Sequence, residues 1–401
     1  MRLQRVKSVF RSIIITGFVL LLCDVAGIHA GQYTVTPSLS LVGGYDDNLN
    51  FTSWDETADL FTELKPAAVF RRSMESSSVA GTAELNFQSY ANETHLNTVD
   101  QKYSIAGDYL PVAELKLDLS GSYLEDTSLD TEFSTEGLIM ARTDRRKYGT
   151  SGAAAWSAGY RTAFNLAGGY DRTEYDDDDS RYSDYYVESL SAGVSHQLRN
   201  GRTVLVLQPS YSYYGFDTGN TKNYQALLGL NHNLSENSSL QLFAGPNYSR
   251  SESWVVVPLS VPPFTERVER VEDQSGWLAS MEAKRISERG SMRAGYTRDI
   301  TGSSYGVTLK RDHPYLAFSL SLSERLRSRL SFDYYRTRSE WQETLYDNET
   351  YSVGTGITYS LRERAEISLN YAYSRINNRL GDRGERNRVY LQLNLFTVKE
   401  L

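Results

Sequence analysis

From about Tyr33 to Phe396 the chain keeps a two-residue rhythm of apolar and polar side chains. Leu115, Leu117, Leu119, Gly121 and Tyr123 alternate with Glu114, Lys116, Asp118, Ser120 and Ser122. Val79, Gly81, Ala83, Leu85 and Phe87 alternate in the same way with Thr82, Glu84, Asn86 and Gln88. Successive side chains of a strand point to opposite faces, so each such segment has one apolar and one wet face. A soluble sandwich has that alternation too. Two further features separate the cases. The apolar face often ends in Tyr or Trp, and a secretion signal precedes the first segment. Together they predict an all-β fold, a transmembrane antiparallel up-and-down β-barrel in the outer membrane of a Gram-negative bacterium.

Residues 1–30 read as a signal peptide, and residues 31–401 as one barrel domain. Arg2, Arg5, Lys7 and Arg11 make a basic start, Ile13 to Leu22 an apolar run, and Ile28-His29-Ala30 a peptidase site. The apolar run is short for a transmembrane helix. Cys23 is the only cysteine, and Leu20-Leu21-Leu22 leave out the small residue a lipidated cysteine needs in front of it. It is read as discarded with the signal, which excludes disulfides and thiolate chemistry from the mature chain. The formal net charge of −8 becomes more acidic once the signal is removed, which argues against a nucleic-acid partner. A mean hydropathy of −0.46 does not exclude the membrane, because a barrel shows lipid only every second residue.

The alternation marks eighteen strands, with a range of 16 to 20. Their centres are Leu39, Leu64, Ala83, Ile105, Leu117, Gly152, Leu166, Leu190, Leu207, Leu228, Leu242, Ala279, Ala294, Phe318, Phe332, Thr355, Leu369 and Leu393. Connections after even-numbered strands are short, such as Leu110-Pro111-Val112 and Leu198-Arg199-Asn200-Gly201. After odd-numbered strands they are usually long: Asp46–Asp59, Glu125–Arg145, Arg172–Asp184, Ser249–Gln274, Arg336–Thr350 and Ser374–Asn387. Outer-membrane barrels segregate tight periplasmic turns from long external loops in this way. A soluble β protein has no reason to. Leu234-Ser235-Glu236-Asn237, Ile286-Ser287-Glu288-Arg289 and Leu322-Ser323-Glu324-Arg325 read as one turn reused. Pro37 and Pro66 each fall inside a strand, where a bulge or a barrel rim is expected.

Tyr45, Tyr123, Tyr170, Tyr213, Tyr248, Tyr296, Tyr334 and Tyr373 stand at the loop-side ends of odd-numbered strands, as an interfacial girdle requires. Trp156 stands at the opposite end. The last strand carries Val389, Leu391, Leu393 and Leu395 on one face and resembles the C-terminal recognition strand of outer-membrane proteins.

With these features in place, the stretch VTPSLSLVGGYDDNLNFTSWDETADLFTELKPAAVF, residues 35–70, resembles the outer-membrane β-barrel porins called beta-barrel porin 2. A strand ending in Gly44-Tyr45-Asp46-Asp47-Asn48, a polar loop, and Asp59-Leu60 entering a strand with a proline carry the likeness. The Leu-Ser-Glu-Arg turns are similar too. The resemblance implies a porin-like barrel, and, because members occur near exopolysaccharide-synthesis genes, a part in sugar-polymer export.

Little in the chain points to catalysis. His95, His196, His232 and His313 are scattered without ligand spacing, so no metal or other cofactor is expected. Asp312-His313 is the only adjacent acid–His pair; an ordinary rim residue is expected, and a barrel enzyme is the weaker alternative. Asp176 to Asp179 lack the spacing of a calcium loop and read as a solvated loop. Val255 to Phe264 is an apolar external stretch that either folds inward as a constriction or packs on the rim.

Function is expected on the polar parity. That parity sends Lys102, Asp108, Lys116, Asp118, Lys147, Asp171, Glu282, Lys284, Arg293, Asp333, Glu366 and Arg388 to the lumen, with Lys65, Glu63, Glu84 and Glu114. Neither sign dominates. Glu188 and His196 fall on the lipid parity, as a bulge or a rim position would allow. The sequence therefore reads as a non-enzymatic, passive channel for hydrophilic solutes. A closed structural or surface-binding barrel is the alternative. Expected partners are outer-membrane lipid and lipopolysaccharide, exopolysaccharide or small saccharides, periplasmic chaperones and the barrel-assembly machinery.

Overall fold

The computed structural model describes residues 32–129, 142–176, 182–258, 265–304, 306–339, 347–378, 383–396 and 399–400. Residues 1–31, which include the stretch read as a signal peptide, and Asp177–Asp179 lie outside them. Eighteen strands follow one another: β1 (Gln32–Asp46), β2 (Asp59–Ser73), β3 (Ser77–Tyr90), β4 (Thr98–Val112), β5 (Leu115–Thr127) and β6 (Asp144–Ser157). Then come β7 (Thr162–Asp176), β8 (Tyr185–Gln197), β9 (Thr203–Phe216), β10 (Gly219–Ser235), β11 (Ser238–Pro258) and β12 (Thr265–Ser287). The last six are β13 (Gly290–Gly302), β14 (Thr308–Ser321), β15 (Leu326–Ser339), β16 (Asp347–Arg362), β17 (Ala365–Asn378) and β18 (Arg383–Phe396). Each pairs antiparallel with its neighbours in sequence, and β18 returns to β1, with Leu41 opposite Leu393 and Tyr45 opposite Val389. A two-residue piece, β19 (Lys399–Glu400), continues past β18 against Val35 and Thr34. Every expected strand centre falls in a strand of its own. Closure pairs the backbone without a free edge, which a bilayer demands.

The two parities separate cleanly. Leu117 and Leu119 of β5, Leu166 of β7, Leu190 of β8 and Leu228 of β10 are exposed on the outer face. These are the side chains that meet hydrocarbon. All eight expected tyrosines share this outer parity at the loop end, and five of them join neighbouring rings in short runs. Tyr123 lies between Tyr103 and Tyr148 at 6.1 and 5.3 Å, and Tyr186 lies between Tyr170 and Tyr213 at 6.0 and 5.8 Å. Trp156 stacks on Phe164 at 5.7 Å at the other end. Glu188 and His196 do lie on the outer face, at its two ends: Glu188 opposite Tyr170 and Tyr213, His196 bonded to Thr162 at 2.9 Å. The β8 register is continuous, so rim position, not a bulge, accounts for both.

Several expectations about connections need correction. The segments 249–258 and 265–274 are not loop: Ser249 pairs with Gln274 and the ladder runs out to Pro258 opposite Thr265. Most of the other long connections likewise carry strand at their ends. The β9–β10 connection, only Asp217-Thr218, breaks the long-short parity. Val112 belongs to β4, whose register shifts between Tyr109 and Val112 around Pro111. In the reused turns the serine does the local bonding: Ser235 Oγ accepts from Asn237 N, Ser287 Oγ donates to Gly290 O, and Ser323 Oγ accepts from Leu326 N.

Pro66 sits in an unbroken β1–β2 ladder, opposite Leu39, and at neither a bulge nor a rim. Its missing N–H is felt on the other side, where β2–β3 pairing skips from Leu64 to Ala67. Pro209, Pro246 and Pro314 do the same in β9, β11 and β14. A ring nitrogen cannot donate, so each proline leaves one ladder interrupted and the other intact.

Candidate functional site

Barrel closure turns one parity of every strand inward, so the candidate site is the inner wall. The register places the candidate side chains there in three groups. In the first, Lys116 Nζ lies 2.6 Å from Asp118, Ser78 Oγ donates to Asp108, and Lys102, Lys147 and Asp171 stand on adjoining rows. In the second, Glu282 accepts from Arg293 Nε at 2.6 Å and from Tyr315 OH at 2.5 Å. Lys284 is the register partner of Arg293, Asp333 lies 3.0 Å from His313 Nε2, and Glu366 takes Arg327 and Ser360. The third lies at the β1–β18 seam. Here Arg388 Nε is 3.3 Å from Asp46, and its guanidinium is 4.7 Å from the centre of the Phe61 ring. The twelve residues do not converge on one point. They line the wall.

The loop end of this wall is built differently from the turn end. β11 and β12 pair to their tips, whereas β12 pairs with β13 only from Ala279 opposite Arg298 toward the turns. Past that level β13 keeps to β14, and the hairpin leaves the wall and leans across the interior to β8 and β9. Tyr214 OH donates to Ile300 O at 3.1 Å, and Ser183 N donates to Ser304 O at 2.8 Å. Gly302 lies flat on the Tyr185 ring, where a Cβ would come within 2.9 Å of ring carbons. Ile300 packs with Tyr214 and Leu278. Behind the hairpin, Thr221, Asn223, Asn247 and Ser249 of the inner face are buried. The inward element among the described residues is β13–β14; Val255 to Pro258 lie in the β11 ladder, and residues 259–264 lie outside the described residues.

A second inward mass forms at the seam. Asn48 Nδ2 donates to Thr52 O and Glu385 O, Asp47 takes both nitrogens of Asn387, and Arg386 is buried against Asp46. Between β5 and β6, Arg145 is fully buried and bidentate to Asp126 at 3.0 and 2.9 Å. Outside the apolar band, Asp59 accepts from the backbone amides of Glu93, Asn92 and Leu60, and these bonds hold its carboxyl below the ordinary range.

The sequence reading missed Arg145, Asp126, Arg386, Arg311 and Asp299. All five have inner parity, so alternation could have found them. Pairing requires the register, and Arg145, Asp126 and Arg386 lie at strand ends that read as loop. His313 makes an ordinary wall contact: it bonds Asp333 and stacks on Tyr335 at 4.1 Å.

No curated protein matches the sequence. The fold is similar to that of the outer membrane protein opdK from Pseudomonas aeruginosa, at 10% identity, covering 91% of this chain and 99% of that one, with a TM-score of 0.47. OccK2 (OpdF) from Pseudomonas aeruginosa is similar at 9% identity, 92% and 98% coverage and a TM-score of 0.45. The ferric-catecholate import receptor Fiu from E. coli K12 is similar at 8% identity, 92% and 82% coverage and a TM-score of 0.47. The closed barrel with its apolar outer face is a protein of the bacterial outer membrane, and its residues 23–181, which take in β1 to β7, match the family described as "Putative beta-barrel porin 2".

Proposed function

We propose that the protein is a passive, porin-like channel for small hydrophilic solutes. The observation that carries this reading is a polar, sign-balanced inner wall inside an eighteen-strand closed barrel. A barrel of that size has room for an aqueous lumen. Cations and carboxylates neutralise each other along the wall, as at Lys65–Glu63, Lys116–Asp118 and Arg293–Glu282. Such a wall discriminates weakly between ions, because no ring of one sign lines it. Hydroxyl and amide rows offer hydrogen bonds to sugars: Thr82 with Ser104, Ser120 with Ser151, Gln225 with Ser210. These rows, with the sequence resemblance, support saccharides as cargo and a link to exopolysaccharide export.

Planar-bilayer recording of the purified barrel tests the reading. A steady current, a reversal potential near zero under a salt gradient and block by oligosaccharides are expected. The absence of current from folded protein overturns it. The buried loop end favours a second reading, a closed structural barrel. Gly302→Leu separates the two: it should unseat the β13–β14 hairpin and raise a channel's current, and it should leave a closed barrel silent.

A further inference from the structure

We infer that a hollow in the inner wall of β3–β6 binds one ring of a neutral sugar, with Asp108 and Asp118 accepting its hydroxyl groups. The inference rests on the channel reading and names a solute class and a subsite for it.

Two rows of inner-face residues cross these strands near the turn end. The lower runs Ser78, Asp108, Asp118 and Ala153, and the upper runs Ala80, Ala106, Ser120 and Ser151. They line a hollow of about 220 Å³, room for one sugar ring. Alanine makes it: Ala80, Ala106 and Ala153 end at Cβ, while the neighbouring Lys116 and Arg71 carry long side chains. The result is a floor of methyl groups under a rim of carboxylates and hydroxyls. A pyranose has the matching shape, a face of C–H groups and an edge of hydroxyls.

The carboxylates have acceptor capacity to spare. An ionised carboxylate accepts about four hydrogen bonds. Among the described residues Asp108 takes one side-chain donor, Ser78 Oγ, and Asp118 takes one, Lys116 Nζ at 2.6 Å. The two are register partners, which sets their Cβ atoms about 5 Å apart. Like charges directly opposed across a ladder destabilise it, and Lys116 bonds only one of them. Two adjacent hydroxyls of a sugar span the gap, one donating to each carboxylate, and bonds to an ionised acceptor are the strong ones. Ser120 and Ser151 lie 2.7 Å apart, Oγ to Oγ, and spend one hydrogen between them. The other is left to donate to a sugar oxygen.

Charge sets the class of solute. Beside the hollow, Lys116 and Arg71 are set against Asp108, Asp118 and Glu114, the last in the turn below. Toward the loops, Lys102 and Lys147 are outnumbered by Glu84, Asp100 and Asp171. Carboxylates are in excess at both levels, so a sugar acid is repelled where a neutral ring enters.

Ligand-observed saturation-transfer NMR on the full barrel in detergent tests the site. Methyl glucoside is the probe, and methyl glucuronide, in which a carboxylate replaces the primary alcohol, is the comparator. Methyl glucoside should bind, and methyl glucuronide should bind at least about tenfold more weakly. Asp108→Asn and Asp118→Asn should each weaken methyl glucoside about tenfold, through loss of one charge-assisted bond. Ala106→Leu fills the hollow with every charge in place and should abolish binding; it serves where a carboxylate variant fails to assemble. Equal binding of the two glycosides, or unchanged methyl glucoside binding in folded Asp108→Asn or Ala106→Leu protein, overturns the site. Conductance of the same preparations keeps the two readings apart: current without methyl glucoside binding refutes the site alone, and binding without current refutes the channel alone.

Discussion

The two ends of one inner wall follow different physics. Toward the turns, Lys116 and Asp118 pair while 47% and 42% exposed, and water can screen both. Toward the loops, Arg145 and Asp126 pair at 0% and 7% exposure. The first pair lies within β5, the second joins β5 to β6, and all four residues belong to the same parity. Their difference comes from what covers them: the inward hairpin and the seam crowd the loop end, and nothing comparable is described at the turn end. The loop end is thus a packed polar core, and the turn end is a wetted surface.

The largest expected effect breaks that comparison directly. Arg145→Ala should cost about 3–5 kcal/mol, because it strands a buried carboxylate. Lys116→Ala should cost at most about 1 kcal/mol, as exposed pairs do. Urea unfolding of both variants in one lipid measures the two costs, and equal losses would erase the distinction.

Next comes a test of the inner and outer faces themselves. Leu117→Arg sets a charge in hydrocarbon at about 2–4 kcal/mol near the midplane, whereas Ser120→Arg sets it in the lumen beside Ser151. The first should deplete the heat-modifiable folded form and the second should not. Comparable depletion would mean the faces are assigned the wrong way round.

A smaller effect concerns the hairpin. Gly302→Leu should raise single-channel current severalfold while leaving assembly intact, because only the seat on Tyr185 is lost. An unchanged current would show that the narrowing lies elsewhere.

The smallest is a pH effect confined to the loop end. Asp59 is held below the usual carboxylate range by the amides of Glu93, Asn92 and Leu60, so its stabilisation is complete above the unfolded pKa of about 4. It fades as pH falls through the lowered folded value. Amide exchange at Asn92 and Glu93 should quicken on acidification in the parent and be pH-independent, after correction for intrinsic exchange, in Asp59→Asn.

The strands were legible because alternation is a local signal and the membrane enforces it on every strand. The same parity placed the tyrosine belt and carried Lys116, Glu282 and Glu366 to the inner face. The departures have a common origin. No local pattern around Ile300 to Thr308 says that a strand pair will part from β12 and lean inward. That decision is made by contacts with Tyr185 and Tyr214, more than eighty residues earlier. Arg145 and Arg386 escaped notice because a charged residue near a loop looks solvated until its register partner is known. Pro66 misled for the opposite reason: a single missing donor is tolerated when the other ladder holds.

The seam between β1 and β18 has a consequence for the life of the chain before it reaches its final form. Each of the other ladders joins segments adjacent in sequence and can form as a hairpin, but Asp46 and Arg386 are 340 residues apart. Contacts of such separation form late. Until they do, the nascent sheet has two open edges, each a template for pairing with another chain. Pro37 lies on one of those edges, just before the ladder from Ser38 to Phe396 begins. With no N–H to offer, it blunts that edge against the wrong partner. The Asp46–Arg386 and Asp47–Asn387 contacts then reward the right one, so the first and last strands proofread each other.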